Sequence, residues 1–142
     1  MLSRRTLALD IGTVRIGVAV SDPLGMFAQG IAVLPAEGAW LEELDALVAQ
    51  YEPELLLLGI PIRTNGTRGP EALRIEECAA MLGNRYPDLK VVLHDERFST
   101  VMAQQALLEG DVSRKNRKGK VDKVAAALIL QSWLDRRCGG VS

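Results

Sequence analysis

The sequence predicts an α/β fold in which a mixed five-stranded sheet carries helices on its faces, in the order β-β-β-α-β-α-β-α-α. Three observations lead to this prediction: an alternating N-terminal segment, two short apolar runs farther along, and amphipathic helical segments around those runs. A chain of 142 residues matches the usual size of one domain, so we expect residues 1–142 to form a single domain.

The first three strands are predicted to form an antiparallel meander. Apolar residues alternate with polar or small ones in TLALDIG (6–12), and the alternation resumes in RIGVAVSD (15–22) after a short turn. A third strand is expected from Ala28 to Leu34, because glycine and proline residues flank that segment on both sides.

The central part of the chain is predicted to alternate between helices and strands. Apolar residues recur every three or four positions from Ala39, which predicts an amphipathic helix that ends at Pro53. The apolar run LLLLGI (55–60) is typical of a parallel strand covered on both faces. A second helix is expected to begin at Pro70, because proline suits a first helical position, and to end before Pro87.

The last part of the chain is predicted to contain one strand and two helices. KVVLH (90–94) forms the fifth strand, and a short helix follows from a cap at Ser99 to a stop at Gly110. After a basic loop, the final helix is expected from about Lys120 to Arg136. Strand-helix crossovers that follow a three-stranded meander give a mixed sheet.

Composition excludes several classes of protein. Apolar residues make up 48% of the chain and charged residues 25%, which is the profile of an ordinary globular protein. No apolar stretch reaches the roughly 18 residues of a membrane span, so we expect a cytoplasmic protein without membrane contact. Cys78, Cys138 and His94 lack partners at metal-ligand spacing, so we interpret them as structural and expect no zinc site.

The charge distribution is more informative than the net charge of -1. The segment RKNRKGKVDK, from Arg114 to Lys123, holds six of the seventeen basic residues and a single acid, Asp122. This density of positive charge can neutralise several phosphates, although a solvated surface is an equally good interpretation of a charge run.

Asp10 is the first candidate functional residue. It lies inside a strand predicted to be covered on both sides, where an ionised carboxylate costs several kcal/mol unless a positive charge compensates. A metal ion is one possible partner. A salt bridge to Arg15 across the hairpin, or a turn cap beside Gly12, is the structural alternative.

Two further acidic positions follow apolar elements. Asp122 is expected in the first turn of the final helix, on the face that carries Ala125 and Ile129, although an acid there also simply favours the helix dipole. Asp95 and Glu96 come directly after the fifth strand, at the carboxyl end where α/β sheets place their sites, although surface acids are common at strand ends.

Together these acids predict a site for Mg²⁺ or Mn²⁺, because hard divalent cations bind carboxylate oxygens and keep open positions for water and phosphate. Two such ions about 4 Å apart can support phosphoryl displacement without a histidine or cysteine. Lys118, Lys120 and Arg97 neighbour the candidate acids and are expected to offset the phosphate charge.

The segment GIPIRTNGTRGP (59–70) is a candidate phosphate-binding loop. Its glycines at 59, 66 and 69 precede a predicted helix N-terminus, so its backbone amides could hold a phosphate. No Gly-Lys-Ser/Thr follows, which excludes a Walker A loop. A simple turn at Asn65-Gly66 is the alternative.

Four motifs, DIGTVRIGVAV, GIPIRTNGTRGP, DERFST and GKVDKVAAALILQSWL, resemble in order and spacing those of the YqgF family, also called RuvX. The resemblance spans nearly the whole chain. It implies a ribonuclease-H-like fold and a metal-dependent nuclease similar to Holliday junction resolvases or to the nuclease that matures the 5′ end of pre-16S rRNA. It also implies a homodimer.

Carried over residue by residue, the resemblance implies that Asp10, Glu96 and Asp122 are the catalytic, metal-holding carboxylates, and it favours Glu96 over Asp95. Arg97 and Lys120 are then phosphate-facing, and with Arg15 and Lys118 they complete the expected substrate contacts. Three positions depart from the family pattern: Val14, Asn65 and Cys78. None of them removes a proposed ligand.

Two other functions are compatible with parts of the sequence. DIGT after a strand also begins the phosphate-binding hairpin of actin- and hexokinase-like phosphotransferases, but those enzymes close two domains over ATP. A non-catalytic nucleic-acid-binding module is the second alternative. With two Phe, two Tyr and two Trp, the chain offers little aromatic stacking surface, so recognition of structured nucleic acid, either four-way junction DNA or precursor rRNA, is favoured.

Overall fold

The computed structural model describes residues 5–62, 65–96 and 114–139, and in the last of these segments the side chains of 123–137. Five strands and three helices make up this part of the chain. The elements are β1 (Thr6–Ile11), β2 (Arg15–Ser21), β3 (Ala28–Pro35), α1 (Trp40–Tyr51), β4 (Leu55–Ile60), α2 (Pro70–Arg85), β5 (Lys90–Asp95) and α3 (Arg114–Gly139). The helix expected between Ser99 and Gly110 lies outside the described residues.

The five strands form one mixed sheet in the order β3-β2-β1-β4-β5. β1 pairs with β2 and β2 with β3 in antiparallel fashion, which confirms the predicted meander. β1 also pairs with β4, and β4 with β5, in parallel. The carboxyl ends of β1, β4 and β5 therefore lie along one edge of the sheet.

Strand alternation gives the sheet two different faces. One face packs large aliphatic side chains such as Leu7, Leu9 and Leu58 against α1 and α2. The other face presents smaller residues, among them Ala8 and Ala19, to α3. The backbone of α3 comes close to this face: a Cβ at Gly30 would lie 2.9 Å from the carbonyl oxygen of Lys123.

The first two helices begin and end where the sequence predicts. α1 ends just before Glu52, whose left-handed backbone donates an N–H to the carbonyl of Val48 and leads the chain into Pro53. α2 begins at Pro70, which has no N–H that would need a partner in the first turn.

The sequence prediction is wrong about the start of the last helix, because α3 begins at Arg114 and not near Lys120. The basic segment is helical and not a loop, since arginine and lysine are good helix formers and the single Gly119 costs only about 1 kcal/mol. Asp122 consequently lies in the third turn of α3, not the first. The helix dipole therefore gives little reason for an acid at this position.

Candidate active site

Asp10 lies near the end of β1, on the sheet face covered by α3. It pairs with Gly17 of β2, and its side chain shares a face with Ala8, which packs against α3. The neighbouring Leu9 and Ile11 point to the opposite core. Asp10 is half-buried, so its charge stands in a partly desolvated position at the carboxyl edge of the sheet.

The alternation of β5 distinguishes Glu96 from Asp95. Val91 packs against the core of α1 and α2, whereas Val92 packs against α3. His94, two residues beyond Val92, is buried on the α3 side and lies 3.2 Å from the hydroxyl of Ser132 through its Nε2. Continued alternation assigns Glu96 to the face of Asp10 and Asp95 to the opposite face.

The negative charge of Asp10 acts on the carboxyl of Glu96, which indicates that the two side chains belong to one site. Burial, followed by the negative charges of Asp10 and then Asp95, raises the pKa of Glu96 to about 7 from its usual 4.5. Asp10 is a larger cause than the adjacent Asp95, so the two carboxylates lie close enough to repel each other. The structure thus joins two acids that are 86 residues apart in the sequence.

Gly59 of β4 lies between the strands that carry these acids, and the sequence analysis missed this role. A Cβ on Gly59 would lie 3.0 Å from Oε1 of Glu96 and 2.6 Å from Cδ1 of Ile129 in α3. The sequence analysis counted this glycine both in the predicted strand LLLLGI and among the glycines of the candidate phosphate loop, and in the structure it is a strand residue paired with His94. A lone glycine inside the apolar run LLLLGI was the available signal, since such a residue often marks a close approach.

The remaining predicted site residues are only partly described. Asp122, Lys118 and Lys120 lie on α3, but their side chains are outside the described part of the chain, and Arg97 lies outside it altogether. Arg15 begins β2, where it is half-buried and pairs with Pro35. Its roles as an Asp10 partner and as a substrate contact both remain predictions.

The pair of acids suits a hard divalent cation. Both side chains offer carboxylate oxygens, the ligands that Mg²⁺ and Mn²⁺ prefer, and two like charges in a partly buried site gain from a cation between them. Within the described residues, no group of three His, Cys, Asp or Glu side chains forms a metal site. Among the described residues, Asp95 therefore does not complete a three-residue site with Asp10 and Glu96.

The segment after β4 contains the turn that was the alternative to a phosphate loop. The side-chain oxygen of Asn65 accepts hydrogen bonds from the backbone N–H and the hydroxyl of Thr67, at 3.0 and 2.7 Å. Gly66 has a positive φ of 86°, which favours glycine. Asn65 thus supports a local turn, and phosphate binding by this segment stays a prediction.

Two residues interpreted as structural are found in packed positions. Cys78 packs against the core of α1 and α2, and burial raises the pKa of its thiol, which keeps it protonated and unreactive. His94 is buried between β5 and α3, and burial lowers its pKa. The side chain of Cys138 lies outside the described residues.

Comparison with known proteins identifies the family. Residues 4–136 match the family model described as "RuvX: Holliday junction resolvase". A relative from Geobacillus kaustophilus, named "Putative pre-16S rRNA nuclease", is 47% identical over 137 residues that cover 94% of this chain and 99% of the relative. A relative of the same name from Halalkalibacterium halodurans is 44% identical over 94% of this chain and 97% of the relative.

Solved structures show the same fold at low sequence identity. RuvC from T. thermophilus, in complex with a Holliday junction substrate, superposes with a TM-score of 0.58 and 14% identity, covering 95% of this chain and 96% of that chain. The fowlpox virus Holliday junction resolvase gives 0.55 and 16%, covering 92% and 98%. Among the described residues, no helix has the length and apolar character needed to cross a bilayer. The predicted ribonuclease-H-like fold is confirmed, and the chain belongs to the RuvX family of Holliday junction resolvases, nucleases that act on phosphodiester bonds.

Proposed function

We propose that this nuclease depends on Mg²⁺ or Mn²⁺ bound by Asp10, Glu96 and Asp122, and that it hydrolyses phosphodiester bonds in structured nucleic acid. The observation that supports this most strongly is the approach of Asp10 to the partly buried carboxylate of Glu96. A protein that only packs gains nothing from placing two acids beside each other away from water. A divalent cation between the two acids offsets that cost, and Mg²⁺ sites commonly use one or two carboxylates.

Each of the two described acids has a definite task. The backbone of Asp10 is held by the hydrogen-bonded ladder of β1 and β2, which places this residue at the carboxyl edge of the sheet. Glu96 must be ionised to bind a cation, and its pKa of about 7 makes that ionisation sensitive to pH near neutrality. A divalent ion in the site supplies a Lewis acid that activates water and stabilises charge on the phosphate.

Asp122 is proposed as the third ligand because of its position on α3. It precedes Ile129 by seven residues, which is two helical turns, and Ile129 contacts the region of Gly59. Position 122 therefore falls on the same side of the helix as a residue that packs at the site. This assignment needs direct testing by substitution.

Basic residues are proposed to bind the phosphates that flank the cleaved bond. α3 carries six lysines and arginines between Arg114 and Lys123, among them Lys118 and Lys120, on the helix that also carries Asp122. Arg15 at the start of β2 and Arg97 after Glu96 complete the proposed set. Such contacts fix the nucleic acid backbone but do not select a sequence.

Precursor 16S rRNA is the first substrate to test, because the two relatives at 47% and 44% identity carry that substrate in their names. Four-way junction DNA is the second candidate, favoured by the family description. We further propose that the protein acts in the cytoplasm as a homodimer. Light scattering across a concentration series tests the dimer.

The decisive experiment incubates labelled precursor rRNA and labelled four-way junctions with the wild-type protein, in Mn²⁺ or in EDTA. Cleavage is expected only in Mn²⁺. Asp10→Asn, Glu96→Gln and Asp122→Asn should each abolish it, whereas Asp95→Asn is the matched control because its side chain is assigned to the opposite face of the sheet. Cleavage that persists in EDTA, or in one of the three variants, contradicts the corresponding part of the proposal.

A further inference from the structure

Near the carboxyl end of β4, the side chain of Glu96 lies over Gly59. Gly59 belongs to β4, and it pairs with His94 of β5. A Cβ at this position would lie 3.0 Å from Oε1 and 3.3 Å from Cγ of Glu96. Real Cβ atoms are rarely found so close to other atoms, so Glu96 occupies the space that a side chain at residue 59 would take.

The glycine is required here for space and not for backbone freedom. The positive φ angles of the described glycines occur at Gly25, Gly38 and Gly66, and Gly59 is not among them. Its backbone has an extended strand conformation that any residue can adopt. An alanine at this position is therefore free of backbone strain, and its effect reports on the neighbouring side chains alone.

Two neighbours would be displaced by an alanine, and they differ in what they do. Cδ1 of Ile129 would lie 2.6 Å from the new Cβ, but it is the end of a buried aliphatic side chain of α3 that serves packing. Glu96 carries the carboxylate whose charge interacts with that of Asp10. Removing Cδ1 of Ile129 relieves the first conflict, whereas the second is relieved only when the Glu96 side chain shifts by a few tenths of an ångström from its place beside Gly59.

We propose that Gly59 is a positioning residue for the nuclease reaction: the missing side chain at this strand position sets the place where the Glu96 carboxylate meets Asp10. This inference rests on the proposed function, because it matters only if the two carboxylates bind the cation together. Gly59 touches neither substrate nor metal. It acts through the place that it leaves to Glu96, in the manner of a residue that orients a metal ligand.

The test uses three substitutions: Gly59→Ala, the double variant Gly59→Ala/Ile129→Val, and the control Gly83→Ala. Gly83 lies in α2, and a methyl group attached to its Cα would meet no atom of a neighbouring element within 4 Å, so an alanine there changes no contact. Each protein is measured for melting temperature, for Mn²⁺ affinity by calorimetry without nucleic acid, and for kcat and KM on the substrate cleaved by the wild type.

Gly59→Ala is expected to lower kcat and Mn²⁺ affinity by about 10- to 100-fold, the range found for residues that orient metal ligands, with KM little changed. Gly59→Ala should also lower the melting temperature, because its methyl group collides with Cδ1 of Ile129. The double variant lacks Cδ1 and should regain the melting temperature of the wild type, but it should keep the weak Mn²⁺ binding and the low kcat. Gly83→Ala should match the wild type in Mn²⁺ affinity and in kcat. Recovery of Mn²⁺ affinity together with the melting temperature in the double variant would overturn the proposal, since the effect is then packing alone.

Glu96→Gln in the same assays separates this inference from the proposed function. If Glu96→Gln binds Mn²⁺ and cleaves like the wild type, the proposed function fails, and the positioning role fails with it. If Glu96→Gln is inactive while the double variant is fully active, the proposed function stands and only the role of Gly59 is refuted.

Discussion

The two faces of the central sheet are built from consecutive residues of the same strands, yet they differ in the size and the charge of their side chains. Leu9 and Leu58 point to the face under α1 and α2, where they are fully buried among other large aliphatic side chains. Their next neighbours, Asp10 and Gly59, belong to the face under α3, where alanines and a glycine let the helix approach closely.

This difference leads us to expect that stability and the proposed chemistry are divided between the faces and not between segments of the chain. The face of α1 and α2 removes a large apolar area from water, which is the main source of stability. The face of α3 keeps less apolar bulk and places carboxylates at its carboxyl edge, at an electrostatic cost. A substitution on the α3 face should therefore reduce activity more than stability, and a substitution at the adjacent position on the other face should reduce stability more than activity.

The largest expected effect is on activity, from substitutions on the α3 face. Asp10→Asn is expected to reduce kcat by at least about 10²-fold, the scale on which one lost electrostatic contact acts in an active site. The melting temperature should change little, because asparagine keeps the shape of the side chain and only one half-buried charge is removed. Single-turnover cleavage and thermal unfolding of the same preparation check both statements. If Asp10→Asn fails to fold, the proposed contrast between the two faces is wrong.

The adjacent residue on the other face should behave in the reverse way. Leu9→Ala is expected to lower the free energy of unfolding by about 2–5 kcal/mol, because it leaves a cavity in a fully buried core. Urea unfolding measures this change. The cleavage rate per folded molecule should remain close to that of the wild type, and a loss of activity without a loss of stability would show that the division between faces is wrong.

The pH dependence of stability should carry a contribution from Glu96. Its folded pKa of about 7 lies above its usual 4.5, so the folded protein holds a proton that the unfolded chain releases in this window. The free energy of unfolding therefore decreases between pH 4.5 and 7, by up to about 3 kcal/mol from this group.

The comparison with Glu96→Gln isolates that contribution, because His94 acts in the other direction. The lowered pKa of His94 adds stability that is lost as the pH falls below 6.5. The difference in unfolding free energy between wild type and Glu96→Gln, measured in metal-free buffer, should decrease steadily from pH 4.5 to 7. Parallel profiles for the two proteins would contradict the assigned environment of Glu96.

The smallest expected effect comes from Gly83, where an added Cβ would have no neighbouring element within 4 Å. Gly83→Ala in α2 should raise the free energy of unfolding by up to about 1 kcal/mol, since alanine is the better helix former and the methyl group meets no neighbouring element. Urea unfolding detects this change, and cleavage should be unaffected. A destabilised Gly83→Ala would mean that α2 packs more tightly at this position than described.

Much of the fold could be predicted because local patterns and tertiary packing agree. The apolar run LLLLGI had to be a strand covered on both sides, and Pro70 marked the first turn of α2. The start of α3 could not be predicted, because the basic residues after Arg114 favour a helix and a solvated loop alike. The structure decides between the helix and the loop, because the segment is helical from Arg114 onward.

The sequence was enough to propose the residue types of the candidate site, but not its geometry. The sequence offered Asp95 and Glu96 equally from the residues alone, and the alternation of β5 across its contacts with both cores selects Glu96. Gly59 could not be assigned because its role depends on a side chain 37 positions away that reaches over from another strand. Such contacts between strands are set by register, which a single sequence does not reveal.

If Asp10 and Glu96 bind one divalent cation together, the cation lowers the pKa of the Glu96 carboxyl. Its carbon resonance can be followed by NMR in a pH titration with and without Mg²⁺. We expect a midpoint near pH 7 in metal-free protein and a midpoint well below that value when Mg²⁺ is present. A midpoint that does not move on addition of saturating Mg²⁺ would contradict the proposed binding of one cation by both acids.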